Sequence, residues 1–172
     1  MINFLLNPHF KGVIVDTNYE IDSLDIKILN YLRKDARMPF LEMARKLYVS
    51  GGTIHQRVEK LKEAKIISGS SIQLDHKKLG FDVTVLLGVH LKNAKDVEKV
   101  IAQMEKIDEI VEAYYTTGSY ALIVKVLLHD IEHFHQFLIG KLQSIKEVQS
   151  TESFISLKQV IKKDVSLRVN DR

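Results

Sequence analysis

The side chains best equipped for chemistry in this 172-residue chain gather in one short segment, SGGTIHQRVEKLKEA, from Ser50 to Ala64. On a helix advancing about 100° per residue, Ile54, Val58 and Leu61 share one stripe, Gly52, Thr53, Gln56, Glu59 and Lys60 point away from it, and His55 and Arg57 flank it. Such a polar face suits the edges of base pairs. Gln56 can pair in two places with adenine, Thr53 can meet a thymine methyl or a phosphate, and Arg57 and Lys60 suit phosphates or guanine. The same face on an ordinary helical bundle would simply be solvated.

Other candidate chemistries fare less well. His129, Glu132, His133 and His135 cluster at the start of a helix, and His129 with His133 at i, i+4 can present two imidazoles to a metal. Ile131, Phe134, Phe137 and Leu138 claim the buried side of that helix, which leaves the histidines near solvent without a third ligand. No metal site is therefore expected. The chain lacks cysteine, which removes disulfides, thiolate metal sites and a Cys nucleophile together and fits a reducing cytoplasm. With no GxSxG, P-loop or HExxH pattern either, no catalytic residues and no enzyme activity are expected.

Composition agrees with a folded, non-membrane chain: 45% of residues are hydrophobic and 27% charged, and no apolar run is long enough to span a bilayer. The net charge of +3 is unevenly spread. Residues 1–80 carry +4 and residues 81–172 carry −1, and residues 37–65 alone hold seven bases against three acids. A local basic surplus is what an anionic partner requires.

The elements that position these residues can be read from periodicity. Residues 1–18 hold no period, contain Pro8 and lack the features of a signal peptide, so they read as a poorly ordered leader. Ile21, Leu24, Ile28, Leu29 and Leu32 then define a helix starting near Ser23. A second follows Pro39 with Leu41, Ala44 and Leu47 inward, and Ser50 caps a third running to about Ala64. From Phe81 the period changes. Val83 to Leu91 alternate as a strand that should be central or covered on both faces, and Asn93 caps a helix carrying Ala94, Val97, Val100, Ile101, Met104 and Ile107. Ile110–Thr117 and Tyr120–Leu128 form two strands around a tight Gly118-Ser119 hairpin turn. Asp130 caps a helix with Ile131, Phe134, Phe137, Leu138 and Leu142 inside, and Val148–Val160 forms a last strand. The order βαββαβ is the ferredoxin-like pattern.

The stretch IDSLDIKILNYLRKD, followed by the helix pair ending SGGTIHQRVEKLKEAKIISG, resembles the DNA-binding domain of the Lrp/AsnC transcriptional regulators. AYYTTGSYALIVKV and IKEVQSTESFISL resemble that family's amino-acid-binding domain, and the likeness runs from about Ile21 to Ile161. It implies an α+β protein: a helix-turn-helix, winged-helix-like domain at 19–68, a strand-bearing linker at 69–80, a ferredoxin-like effector-binding and oligomerisation domain at 81–163, and a tail at 164–172.

By the same resemblance the partners are double-stranded DNA, an amino-acid effector expected to be asparagine, and further copies of the chain, as dimers that assemble to an octamer. No other cofactor is implied. The DNA-facing residues would be Arg37, Ser50, Gly52, Thr53, His55, Gln56, Arg57 and Lys60. The effector would lie against Tyr115, Thr116, Thr117, Gly118, Ser119 and Tyr120 of the hairpin and Gln149, Ser150, Thr151 and Glu152 of the last strand. Backbone N–H groups and hydroxyls of such a turn suit a carboxylate, and Glu152 suits an ammonium. Two positions depart from the family's pattern. Many members carry proline where Gly51 stands, and an Asp where Ala121 follows the hairpin aromatic.

Overall fold

The computed structural model describes residues 19–168, so the leader expected at 1–18 lies outside the described residues. Two compact units are present, one formed by residues 19–72 with 163–168 and the other by residues 73–162. In the first, Asp22 starts helix α1, Ser23–Lys34. Its carboxylate accepts from the N–H groups of Leu24 and Asp25, while Asp25 reaches back to the Asp22 N–H at 3.1 Å. This reciprocal box satisfies backbone donors that a helix start otherwise leaves open.

Helix α2, Phe40–Leu47, begins after Pro39. Its inward stripe is Phe40, Met43, Ala44 and Leu47, at helical spacing, with Met43 fully buried. Leu41 was expected inward but is 67% exposed. One residue past Phe40 it stands about 100° around the helix, too far to join the stripe.

Tyr48 closes α2 in the left-handed region, at φ 56°, and Val49 N–H returns to Ala44 O at 3.1 Å. That tight turn leads directly to Ser50, whose hydroxyl accepts from Thr53 N–H at 3.0 Å and caps helix α3, Gly51–Glu63. Ile54, Val58 and Leu61 pack on Ile28, Met43 and Ala44 to form the core of the unit. The linker expected to bear a strand does not: residues 69–80 contain one 3-10 turn, Lys77–Leu79, and no strand. A ladder needs a partner for its N–H and C=O groups, and among the described residues that segment has none. Residues 163–168 return to α1, where Arg33 pairs with Asp164 at 3.3 Å and donates to Val165 O, and Asn30 donates to Leu167 O.

The second unit is a four-stranded antiparallel sheet of order β2-β3-β1-β4, with helices against one face. Its elements are β1 Val83–Leu91, α4 Val97–Met104, β2 Ile110–Tyr115, β3 Leu122–Leu128, α5 Ile131–Phe137 and β4 Val148–Ile155. The βαββαβ order is as expected. Val85, Leu87 and Val89 of β1 are fully buried against Val100, Phe137 and Leu142.

β1 is central, one of the two placements expected for it, and Leu86, Ile123 and Phe154 lie open on the sheet face away from α4 and α5. Four sequence expectations are corrected here. The β2–β3 connection spans residues 116–121 rather than two residues, because Tyr115 pairs with Leu122 and the ladder ends there. β4 stops at Ile155 rather than Val160, opposite Val85, two residues from where β1 begins at Val83. Asn93 makes no cap bond, and a 3-10 turn at Ala94–Asp96 precedes α4. Ile131, at the first turn of α5, is exposed; the inward side is held by Phe134 and Phe137, three and six residues on.

Candidate functional site

Helix α3 presents its polar side outward. Gln56, Lys60, His55, Gly52 and Ser50 are exposed and Thr53 is half-buried, its hydroxyl 2.9 Å from the Ser50 hydroxyl. The His55 ring rests at 5.8 Å from that of Phe40. Arg37, before α2, is exposed as well. Among the described residues no ion pair occupies Arg37, Arg45 or Lys60, so their charges are available to an anionic backbone. Lys62 instead holds Glu59 at 2.9 Å and keeps that carboxyl below its ordinary value.

Arg57 departs from expectation. Its guanidinium reaches Asp22 at 2.6 Å and Asp25 at 3.3 Å, and Asp25 is fully buried. Tyr19 donates its hydroxyl to Asp25 at 2.9 Å, and burial pushes the Tyr19 phenol up. Burial works against the Asp22 charge, but the Asp25 N–H and the Arg57 guanidinium outweigh it and hold that carboxyl below the ordinary 3.8. The network of Tyr19, Asp22 and Asp25 was missed from sequence. Its signal was present, since Asp22 and Asp25 have the spacing of a reciprocal cap ahead of an apolar run.

In the second unit the hairpin and last-strand residues separate by face. Gly88 of β1 lies opposite Glu152 and His90 opposite Ser150, so these four share the open face of the sheet. Tyr120 folds across them. Its hydroxyl donates to Glu152, its ring stands 5.0 Å from that of His90, and a Cβ at Gly88 would fall 2.5 Å from Tyr120 Cδ1. The hydrogen bond to Glu152 raises the Tyr120 phenol above its ordinary value. Gly88 and His90 were not foreseen, and only the strand register reveals them. Thr116 donates to the Tyr120 carbonyl, and Tyr115, Thr117, Gly118 and Ser119 are exposed around it. Thr151, opposite Val89, faces the helices and accepts from Gln143 at 3.3 Å. Gln149 falls where the β1–β4 register shifts.

Of the histidine cluster, His129 and His133 are engaged within the protein and His135 is exposed. His129 Nδ1 lies 2.7 Å from Gly80 O with its ring stacked on Phe81 and His133, and His133 Nε2 lies 3.1 Å from Glu109. Among the described residues no group of three or more acidic or imidazole side chains is placed to hold a metal, and no helix is long and apolar enough to cross a membrane.

A three-helix unit exposing the polar face of its third helix, joined in sequence to a ferredoxin-like sheet with a polar cluster at a hairpin, defines a two-domain, ligand-responsive DNA-binding protein. Residues 21–62 match the AsnC-type helix-turn-helix domain and residues 84–165 the Lrp/AsnC ligand binding domain. The Regulatory protein AsnC of Haemophilus influenzae is 52% identical over 147 residues, covering 86% of this chain and 98% of that protein. The structure of E. coli AsnC superimposes with a TM-score of 0.83 at 44% identity, covering 86% of this chain and 99% of that one. A transcriptional regulator from Neisseria meningitidis, solved as an L-Met complex, gives a TM-score of 0.80 at 25% identity, with 88% and 98% covered. The chain belongs to the Lrp/AsnC family of transcriptional regulators: it binds DNA through its helix-turn-helix, and an amino acid bound by the second domain modulates that activity.

Proposed function

We propose that asparagine is the effector, and that it is taken up on the open sheet face between the 116–121 connection and the start of β4. The observation that carries this reading is the cluster of Tyr120, Glu152, His90 and Ser150 around the close approach at Gly88. Glu152 supplies an acceptor for an ammonium, and the exposed Thr117, Gly118 and Ser119 supply donors for a carboxylate. Asparagine is chosen over other amino acids on the segments GTIHQRVEKLKEA, EAYYTTG and EVQSTE, which carry the family likeness. Tyr120 holds Glu152, so an ammonium taken up by Glu152 exchanges one hydrogen bond for another.

DNA is read by α3 in the major groove. Gln56 and Thr53 face base edges, Lys60 and Arg37 meet phosphates, and Ser50, Gly52 and His55 lie along the approach. The chain works in the cytoplasm as a dimer through the open sheet face, with dimers assembling to an octamer. Support comes from Leu86, Ile123 and Phe154 on that face, and from a cavity of about 920 Å³ beside them lined by Val111, Leu127 and residues 156–162. A ligand alters DNA binding only by favouring one arrangement of heads, and a coupling of about 1–3 kcal/mol suffices.

The test is ligand-dependent footprinting on the promoter adjoining its own gene, with calorimetric titration of asparagine and methionine. Asparagine should bind and change the footprint, and Ser119→Ala and Glu152→Gln should weaken the binding. Heat from methionine alone, or from neither, would overturn the choice of effector.

A further inference from the structure

Arg57 sits on α3 one residue beyond Gln56 and three before Lys60, yet it faces inward toward two carboxylates. Asp25 is the one buried charged side chain among the described residues. A buried carboxylate left unpaired is strongly disfavoured, so its partner cannot leave without cost. Asp25 already accepts from the Tyr19 hydroxyl and the Asp22 N–H, both fixed at the start of α1. The guanidinium completes that set and ties the middle of α3 to the first turn of α1. One guanidinium between two carboxylates leaves the spot with a net negative charge, which repels a phosphate rather than attracting it.

We propose that Arg57 is a positioning residue for DNA reading: anchored by Asp22 and Asp25, it sets the rotation and depth of α3 so that Gln56 and Lys60 meet the duplex, and it makes no phosphate contact itself. This rests on α3 being the reading helix. A planar, forked cation suits the role because it fixes orientation as well as distance. Ile54, Val58 and Leu61 fasten the helix but allow it to roll, since apolar contacts are not directional. The carboxylates remove that freedom.

The experiment uses the full chain and two duplexes of equal length, one selected from random sequence by the wild-type protein and one scrambled. Affinity is measured by fluorescence anisotropy over a series of salt concentrations for Arg57→Gln, Asp22→Asn, Gln56→Ala and Lys60→Ala. Arg57→Gln should weaken the selected duplex about tenfold or more and the scrambled one less than about threefold, with the salt slope unchanged. Lys60→Ala should instead lower the slope by about 0.9 on both duplexes, as loss of one phosphate contact does. Asp22→Asn keeps a competent helix cap and leaves Asp25 paired, so it reports the same signature, about threefold in size, even where Arg57→Gln fails to fold.

A slope lowered by about 0.9 in Arg57→Gln would mean a direct phosphate contact and overturn the proposal. Equal losses on both duplexes in Arg57→Gln and Asp22→Asn would reduce the residue to general stability and overturn it too. Unchanged binding by Gln56→Ala and Lys60→Ala would instead remove α3 from the DNA interface, and this proposal with it.

Discussion

Replacing Gly51 with proline should stabilise the DNA-binding unit, although a Cβ there would fall close to a neighbouring side chain. Gly51 is the first residue of α3, where a proline loses no helical hydrogen bond and its fixed φ is already helical. The preceding Ser50 has φ −77° and ψ 153°, within the extended range that a residue before proline must occupy. Removing glycine's freedom at a helical position is worth about 0.5–1 kcal/mol, and a compatible proline adds about 0.4–1 kcal/mol through the unfolded state. The opposing contribution is a Cβ lying 2.9 Å from Leu41 Cδ2. Leu41 is 67% exposed, so its end can swing aside for at most about 0.5–1.5 kcal/mol.

The balance is about 0.5 kcal/mol in favour of Gly51→Pro, or a few degrees in the melting temperature of a unit this size. Gly51→Ala meets the same Leu41 contact without the ring and should come out near neutral. Thermal unfolding followed by far-ultraviolet circular dichroism compares the three proteins. If proline proved less stable than alanine by more than about 1 kcal/mol, the Gly51 N–H would be in use and the placement of Ser50 as cap would be wrong. If both variants lost stability but recovered it when combined with Leu41→Ala, the exposed leucine would be rigid, and the argument that it yields cheaply would fail.

Gly88→Ala should push the Tyr120 ring off β1 and break its bond to Glu152. The phenol would then titrate closer to its ordinary value of 10.0, and an unchanged ultraviolet titration would refute the close approach. Asp22 has its folded-state pKa held below the ordinary 3.8, so its stabilisation is present above about that pH and fades as the pH falls through the folded value. Melting of the first unit should therefore lose stability most steeply in that acid range, and less so in Asp22→Asn. Leu86→Lys or Phe154→Lys places a charge on the open sheet face and should shift sedimentation toward monomer; an unaltered assembly would move the dimer contact elsewhere.

Much of the architecture was legible because it depends on local pattern. The helices at Ser23, Ser50 and Asp130, the strand from Val83 to Leu91 and the βαββαβ order follow from apolar periodicity and from oxygen-bearing side chains at helix starts, which act within four residues of themselves. The polar face of α3 was visible for the same reason. Periodicity misled where two readings were close. On the eight-residue α2, Leu41 and Met43 are both apolar, and only packing against α1 and α3 puts Met43 inside.

What tertiary structure alone decided concerns partners distant in the chain. Asp22 and Arg57 are 35 residues apart, and Tyr120 and Glu152 are 32 apart. No local rule joins them, because an ion pair or a close ring contact exists only after loops have been closed and registers chosen. By itself the sequence determined which faces are apolar, where helices begin and that a basic, glutamine-bearing helix looks outward. Folding then brought Arg57 of α3 onto Asp22 and the buried Asp25 at the first turn of α1, a pairing that a buried carboxylate favours.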